Sequence, residues 1–373
     1  APGGALSLKT LIDDSRTTEI DNPPVASDPA ILCFTSGTSA APKAVVHSYQ
    51  TMLANNRIAA PIYGMTQDDV VLGGPPFTHA FGLCVLNFTL MAGATSLLMP
   101  AFTPPALIDL IETGKPTVAF VAPAHVAACL KSGLLEDSDL SSIRIATISG
   151  SACPPDIAYA LENAMPNGSV GQMWGMTECF MGLHTPFDGP ADIRCETLGQ
   201  TTPTFEARMV LENGDIAADG EEGELEIRGC SVIAGYFNNA DANRTAFSGD
   251  GWFKTGDLAC RDANGNVQIT GRAKDLINRG GIKINPVDIE AVIDRHPAVL
   301  MSAIAPVPDD VLGERACAYI ELQPDSNVTL EEICAWLDDN DVAKMKWPEK
   351  LEIVARMPLT PTRKIIKGAL KPA

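Results

Sequence analysis

Ile31-Leu32-Cys33-Phe34-Thr35-Ser36-Gly37-Thr38-Ser39-Ala40-Ala41-Pro42-Lys43 is an apolar run that empties into small hydroxyl residues and glycine and ends on Pro-Lys. A strand followed by such a loop presents backbone N–H groups, several hydroxyls and one ammonium to an anion, the chemistry of a triphosphate cradle. The stretch lacks the Gly-x4-Gly-Lys-Ser/Thr pattern, so by itself it reads equally well as an ordinary Ser/Thr/Gly turn. Its weight comes from the rest of the chain.

From Ile31 to Trp174, apolar strand candidates alternate with helical patterns: Ile31–Thr35, Val70–Gly73, Thr95–Met99, Thr117–Val121, Ile143–Ile148 and Ser169–Trp174, with helices over Pro105–Glu112, Ala124–Lys131 and Pro155–Met165. Continuous apolar strands separated by helices predict an α/β fold, a mostly parallel sheet with helices on both faces. Ligands of such sheets sit beyond the carboxyl ends of the strands, where the loop after Phe34 and the segment after Met173 both belong. After about Thr185 the strands shorten, and Asn213-Gly214 and Asn264-Gly265 mark hairpins of a small antiparallel, barrel-like subdomain. Beyond Arg272 a turn-rich Asn278–Asn285 precedes a compact α+β unit with helices over Pro286–His296 and Thr329–Leu337. The expected division is 1–185 for the nucleotide- and acyl-binding part, 186–271 for the β subdomain and 272–373 for a smaller C-terminal domain.

Composition bounds the function. The 373 residues carry a formal net charge of −19, which argues against nucleic-acid and anionic-membrane partners. The tail reverses that balance, with basic residues at 344, 346, 350, 356, 363, 364, 367 and 371 against acids at 349 and 352. A solvated basic face and a surface that meets a phosphate-rich ligand both account for it. The 10 cysteines form no Cys-x-x-Cys pair and mostly sit in apolar strings, as core thiols of a cytoplasmic protein do. The five histidines, at 47, 79, 125, 184 and 296, lack metal-ligand spacing. Phe81–Met99 is uncharged, but its polar residues and Gly-Ala-Thr break fit a buried helix, Ala80–Met91, followed by a strand rather than a membrane span.

Two further segments carry chemistry. Trp174-Gly175-Met176-Thr177-Glu178 puts an aromatic plane, a hydroxyl and a carboxylate within five residues, enough to stack a base, bond a phosphate and hold Mg2+; a core tryptophan and a helix start explain it as well. Lys254-Thr255-Gly256-Asp257 puts a carboxylate in a turn, where it is either only a turn residue or an acceptor for two ribose hydroxyls.

Together with Gly150–Pro154, Gly223–Tyr236, Gly251–Leu258, Gly271–Glu290 and Pro358–Lys367, these segments in this order resemble the adenylate-forming superfamily of acyl- and aryl-CoA synthetases, carrier-protein adenylation domains and luciferases. The resemblance runs from about residue 30 to the end of the chain. It implies an ATP-dependent, AMP-forming acid–CoA ligase with ATP, Mg2+, CoA and a small carboxylic acid as ligands, and it leaves room for a homodimer. Thr35, Ser36, Gly37, Thr38 and Lys43 would wrap the β- and γ-phosphates, with Ser151 and Ala152 beside the nucleotide. Trp174 would stack on adenine, Asp257 and Arg272 would hold the ribose, Thr177 would contact the α-phosphate and Glu178 would bind Mg2+. Lys364 would bridge the carboxylate and the α-phosphate, and the small domain would turn about Lys274 between the two half-reactions. His79 falls at the mouth of the acyl pocket, where gating and helix capping are equal readings, and Phe81, Met173, Met176, Cys179 and Met181 would form an apolar acyl site.

The chain departs from the pattern at Ala40, Ala44 and Arg363, which stand where glycines are usual. Only about thirty residues precede the loop, where members carry a long stretch, so an abbreviated large domain is expected. Gly280–Pro286 and Lys346–Lys350 look most like ligases for alicyclic, aromatic or medium-chain acids. An enzyme that loads a carrier protein and a non-catalytic ATP-binding fragment are the alternatives; the joint presence of Lys364, Glu178, Asp257 and Arg272 speaks against the second.

Overall fold

A computed structural model describes residues 22–35, 42–360 and 365–370. In chain order the first body contains β1 (Pro29–Thr35), β2 (Lys43–Ser48), α1 (Tyr49–Ile62), β3 (Val70–Gly73), α2 (Ala80–Ala92), β4 (Thr95–Leu98), α3 (Pro104–Gly114), β5 (Val118–Val121), α4 (Pro123–Lys131), β6 (Ile145–Ile148), α5 (Pro155–Ala164), β7 (Ser169–Met176), β8 (Phe180–His184), α6 (Ala191–Glu196) and β9 (Gln200–Thr201). Strands β3 to β9 make one seven-stranded sheet in the order β4-β3-β5-β6-β7-β8-β9. It is parallel from β4 to β7 and turns antiparallel at β8 and β9. Every residue of β5 and β6 is buried, as central strands covered on both faces require.

The helices start where the sequence supplies caps. Thr103 Oγ1 accepts the Ala106 N–H ahead of α3, and prolines open α3, α4 and α5. The uncharged Phe81–Met99 stretch resolves into α2, which ends on Gly93 in a left-handed conformation, and β4. No helix among the described residues is long and apolar enough to cross a membrane.

One assignment changes. Ile31–Thr35 does not join the parallel sheet; β1 pairs antiparallel with β2 as a separate two-stranded ribbon. The reason is one-sidedness. Leu32 and Phe34 remain exposed, whereas a central strand of a parallel sheet is buried on both faces. The ribbon brings Thr35 and Lys43 into register, so both ends of the hydroxyl loop are held side by side, and Ser36 to Ala41 themselves lie outside the described residues.

A second sheet, β10 (Phe205–Val210), β11 (Gly223–Gly229), β12 (Phe253–Arg261) and β13 (Val267–Arg272), is antiparallel throughout, with α7 (Ala240–Ala246) beside it. A third comprises β14 (Ile277–Arg279), β15 (Ile282–Ile284), β16 (Val299–Asp309), β17 (Gly313–Leu322) and β18 (Lys350–Ile353), packed with α8 (Pro286–Ile293) and α9 (Leu330–Asp339). The turn-rich Asn278–Asn285 is thus mostly a hairpin. The basic tail spends two of its cations on α8: Lys346 pairs with Asp288 at 3.2 Å and Lys367 with Glu290 at 2.6 Å. All ten cysteines are free thiols, Cys84, Cys129 and Cys317 fully in the core.

At the amino ends of β3, β5 and β6 a polar knot closes the main sheet. Asp69 accepts from Thr66 N–H at 2.8 Å, Thr117 Oγ1 at 2.6 Å, Arg144 Nε at 3.1 Å and an Arg144 terminal nitrogen at 3.0 Å. Burial pushes the Asp69 carboxyl up, but these donors outweigh it and hold the group down at about 2.

Candidate active site

The opposite, carboxyl edge of the same sheet gathers the motif residues of the sequence. At the end of β7 the chain reverses through Thr177, Glu178 and Cys179 into β8. This hairpin packs on the second sheet, and Trp174, Cys179 and Leu183 share one apolar cluster with Phe205, Leu225, Tyr236 and Phe253. Trp174 is 8 % exposed, and its indole N–H donates to Asp257 Oδ2 at 2.9 Å. Asp257 Oδ1 pairs with Arg272 Nε at 2.8 Å, because the two residues face each other across β12 and β13. A carboxylate offers about four lone-pair positions, so two acceptors remain for a ligand's hydroxyls after Trp174 and Arg272 are served. The close fit around the indole depends on Gly182 of β8, where an added Cβ would lie 2.8 Å from the Trp174 ring.

Glu178 lies beneath this pair. It is 6 % exposed, and Tyr236 Oη donates to its Oε1 at 2.8 Å. Burial pushes its carboxyl above the usual range, while Tyr236 and the charges of Lys43 and Arg272 pull the other way without restoring it. Lys43, the last residue of the hydroxyl loop, stands with Nζ 4.7 Å from the Tyr236 ring centre, a cation–π distance. A second link ties the loop's far strand to the same turn: His47 Nε2 donates to the Thr177 carbonyl at 2.6 Å, its Nδ1 accepts from Thr51, and its ring stacks on Phe180 at 4.0 Å. Burial lowers the His47 pKa, consistent with a neutral ring holding the turn in place. Sequence reasoning misses Tyr236 and His47 as site residues. Tyr236 ends the Gly223–Tyr236 motif, so a signal for its position exists; His47 carries none beyond being a histidine on a strand.

No group of three or more metal-ligating side chains occurs among the described residues. A lone buried carboxylate still suits magnesium, which takes one or two protein carboxylates and completes its shell from phosphate and water. Glu178 is such a group, and its unbalanced burial favours a cation beside it.

Next to this network a cleft of about 210 Å³ opens beyond the ends of β3, β4, β5 and β6. Its lining includes Gly74, His79, Phe81, Phe102, His125 and Ser151. His79 caps α2, its Nδ1 accepting the Phe81 N–H at 3.2 Å, and it is also among the residues that line the cleft. Gly150 and Ser151 follow β6, the direct neighbour of β7, so this side of the cleft and the Trp174–Glu178 turn stand at adjacent strand ends. Ala152 beside them is exposed. Of the apolar residues expected around the acid, Phe81 lines the cleft. Met173 and Met181 pack in the core instead, their sulfurs each 3.4 Å from Tyr63 Oη, and Cys179 is fully buried. Ser36, Gly37, Thr38 and Lys364 lie outside the described residues.

Comparison with known proteins bears on the family and the fold. The sequence profile of the AMP-binding enzyme matches residues 4–237, and that of the AMP-binding enzyme C-terminal domain matches residues 288–364. The chain is 31 % identical to the medium-chain fatty-acid–CoA ligase of Escherichia coli over 98 % of its own length and 65 % of that protein's. It is 32 % identical to the salicyl-AMP ligase / salicyl-S-ArCP synthetase of Mycobacterium tuberculosis, covering 99 % of this chain and 65 % of the relative. The o-succinylbenzoate CoA synthetase of Bacillus subtilis, solved with its acyl-adenylate intermediate, superposes with a TM-score of 0.84 at 27 % identity, over 94 % of this chain and 70 % of that one. The chain therefore spans about two thirds of the length of these relatives. On the profiles that cover most of its length, the chain belongs to the AMP-binding enzyme family, whose members here are adenylate-forming acyl- and aryl-acid ligases.

Proposed function

We propose that this protein is an ATP-dependent, AMP-forming acid–CoA ligase. The observation that carries the reading is the meeting of Trp174 with Asp257 and Arg272, residues from two different sheets, next to a small cleft at the carboxyl edge of the larger one. In the first half-reaction a carboxylate oxygen attacks the α-phosphorus of ATP; a C–O–P bond forms, and the bond to pyrophosphate breaks. In the second, a thiol sulfur attacks the acyl carbon, the C–O bond to AMP breaks, and the thiol proton passes to solvent.

Each residue takes a role that follows from its chemistry. The spare acceptor positions of Asp257, with Arg272 beside it, suit the ribose hydroxyls, and the Trp174 ring sits against the base. Thr35, Ser36, Gly37, Thr38 and Lys43 surround the outer phosphates, and Ser151 and Ala152 border the nucleotide from the end of β6. Thr177 contacts the α-phosphate, and Glu178 is the residue that would hold Mg2+, which when bound supplies positive charge against the phosphates. His79 stands at the acid's entry. Lys364 neutralises the charge that builds between the two anions as they approach. Preorganised charge of this kind is the dominant contribution to such catalysis, about 3–4 kcal/mol for a single donor. The boundaries near residues 185 and 271 then separate the large body, the β subdomain and a C-terminal domain that turns about Lys274 between the two steps. The larger sheet itself continues to Thr201 through β9.

Acid-dependent release of pyrophosphate, followed by CoA thioester formation, tests the reading; ATP binding without pyrophosphate release across a broad acid panel would overturn it. Lys364→Ala is expected to abolish adenylate formation yet spare thioester formation from supplied acyl-AMP, as a chase with synthetic adenylate checks. A carrier-protein thiol as the acceptor is the second reading, favoured by likeness to the salicyl-S-ArCP synthetase. Free CoA and a phosphopantetheinyl carrier, offered in competition, separate the two.

A further inference from the structure

We infer that Trp174 is a positioning residue for ribose recognition: its indole N–H holds the Asp257 carboxylate in the one orientation that reads two neighbouring hydroxyls of a nucleotide, a role separate from any contact of the ring with the base. The inference deepens the ligase reading and rests on it only for the ligand being ATP.

The chain first sets Asp257 on a bulge. Between β11 and β12 three residues, Thr255, Gly256 and Asp257, stand opposite the single Leu225. Gly256 makes this possible with φ 73°, a conformation that favours glycine. Thr255 pins the bulge, its Oγ1 donating to the Leu225 carbonyl at 2.7 Å and accepting the Asp257 N–H at 3.0 Å. Bulges re-aim side chains, and this one brings the Asp257 carboxylate to Trp174 on β7 of the other sheet.

A pinned backbone does not fix the carboxylate, because the torsion about its Cβ–Cγ bond is broad. Two donors close that freedom, Arg272 Nε on Oδ1 at 2.8 Å and the indole N–H on Oδ2 at 2.9 Å. They are unequal anchors. The Arg272 side chain is 47 % exposed, and an ion pair open to water is weak. The indole is buried in the cluster with Phe205 and Leu225, and its far side is closed by Gly182, where a Cβ would come within 2.8 Å of the ring. Its N–H is therefore the firmer of the two. With both oxygens anchored, the remaining lone pairs of Asp257 point in fixed directions, which is what reading two adjacent hydroxyls at once requires. A carboxylate tethered on one oxygen swings to follow a single hydroxyl, and selectivity against a deoxyribose falls.

The test compares ATP with 2′-deoxy-ATP and 3′-deoxy-ATP, each bound in the presence of Mg2+ and followed by calorimetry, with pyrophosphate release across an acid panel measured alongside. In the native protein at least one deoxynucleotide is expected to bind about tenfold more weakly than ATP. Trp174→Phe keeps an aromatic plane but removes the N–H; it is expected to weaken ATP selectively and to reduce that ratio to about threefold or less. If this variant does not fold, replacement of Trp174 by β-(3-benzothienyl)alanine decides, since it exchanges the N–H for sulfur at nearly the same shape. Equal weakening of all three nucleotides assigns the ring to the base alone and overturns the inference, as does native protein that binds the three equally. The two readings fail separately: a ratio that falls in the variant without any pyrophosphate release from native protein sinks the ligase reading alone, whereas pyrophosphate release with an unchanged ratio sinks this one alone.

Discussion

Two carboxylates at opposite edges of one sheet are equally hidden from solvent, sit at different depths, and behave in opposite ways. Asp69 and Glu178 are each 6 % exposed. At the amino edge, Asp69 collects an arginine, a threonine hydroxyl and an amide, and its carboxyl is held down at about 2. At the carboxyl edge, Glu178 accepts from Tyr236 Oη and from its own backbone N–H, and its carboxyl is still pushed up by burial. Surface exposure alone therefore says little about what a charge is for; depth and the donors each group collects both separate them. A group whose charge is matched locally is finished as structure; on the ligase reading, a group left short of positive charge at this sheet edge is prepared for a cation that arrives with the substrate.

The sharpest way to break this contrast is to neutralise Glu178. Glu178→Gln is expected to lower the rate of adenylate formation by about 10²–10³, the usual cost of losing one charge-stabilising group, without lowering the melting temperature, because an unbalanced buried charge disappears. Pyrophosphate release and a thermal melt on the same sample check both halves; a large loss of stability would return Glu178 to the structural class. Asp69→Asn is the mirror experiment. It is expected to cost about 1–3 kcal/mol of stability through the unpaired donors of Arg144 and Thr117, with kcat per folded molecule unchanged. Denaturant unfolding with active-site titration measures it.

The smallest effect is in the pH dependence, and its sign separates the two groups. The folded-state pKa of Asp69 lies below its ordinary value of 3.8, so its contribution is complete above that pH and is lost as pH falls towards about 2. The folded-state pKa of Glu178 lies above its ordinary 4.5, so its contribution is complete below that pH and is lost as pH rises through the raised value. Melting temperature against pH is expected to flatten at the acid end in Asp69→Asn and on the side above pH 4.5 in Glu178→Gln. Identical curves for both variants would erase the distinction.

Much of this is legible in the chain. Val70–Gly73, Thr95–Met99, Thr117–Val121, Ile143–Ile148 and Ser169–Trp174 correspond to the five parallel strands with small shifts at their ends; the central ones, buried on both faces, leave apolar runs, and β4, a half-exposed edge strand, is legible only by its short apolar segment after the Gly-Ala break. Asn264-Gly265 forms the turn between β12 and β13 for the equally local reason that Gly265 adopts a positive φ. Ile31–Thr35 is as apolar as the others, and only the three-dimensional fact that one side of the ribbon faces outwards separates it from them. The site divides in the same way. Trp174, Glu178, Asp257 and Arg272 stand in motifs that a reader of the sequence can find. His47 and Tyr236 act through partners 130 and 58 residues away in the chain, namely Thr177 and Glu178, and no local pattern encodes such meetings.

The alternation of side chains along β7 has a consequence for anyone redesigning this protein. Met173 belongs to the apolar cluster that contains Phe81, and the next residue, Trp174, belongs to the cluster built on the second sheet. A single peptide unit is therefore the partition between two interiors. On the ligase reading, enlarging or hollowing the interior behind the cleft bends that partition, and the disturbance is expected to emerge as altered ATP affinity in variants selected only for a new acid.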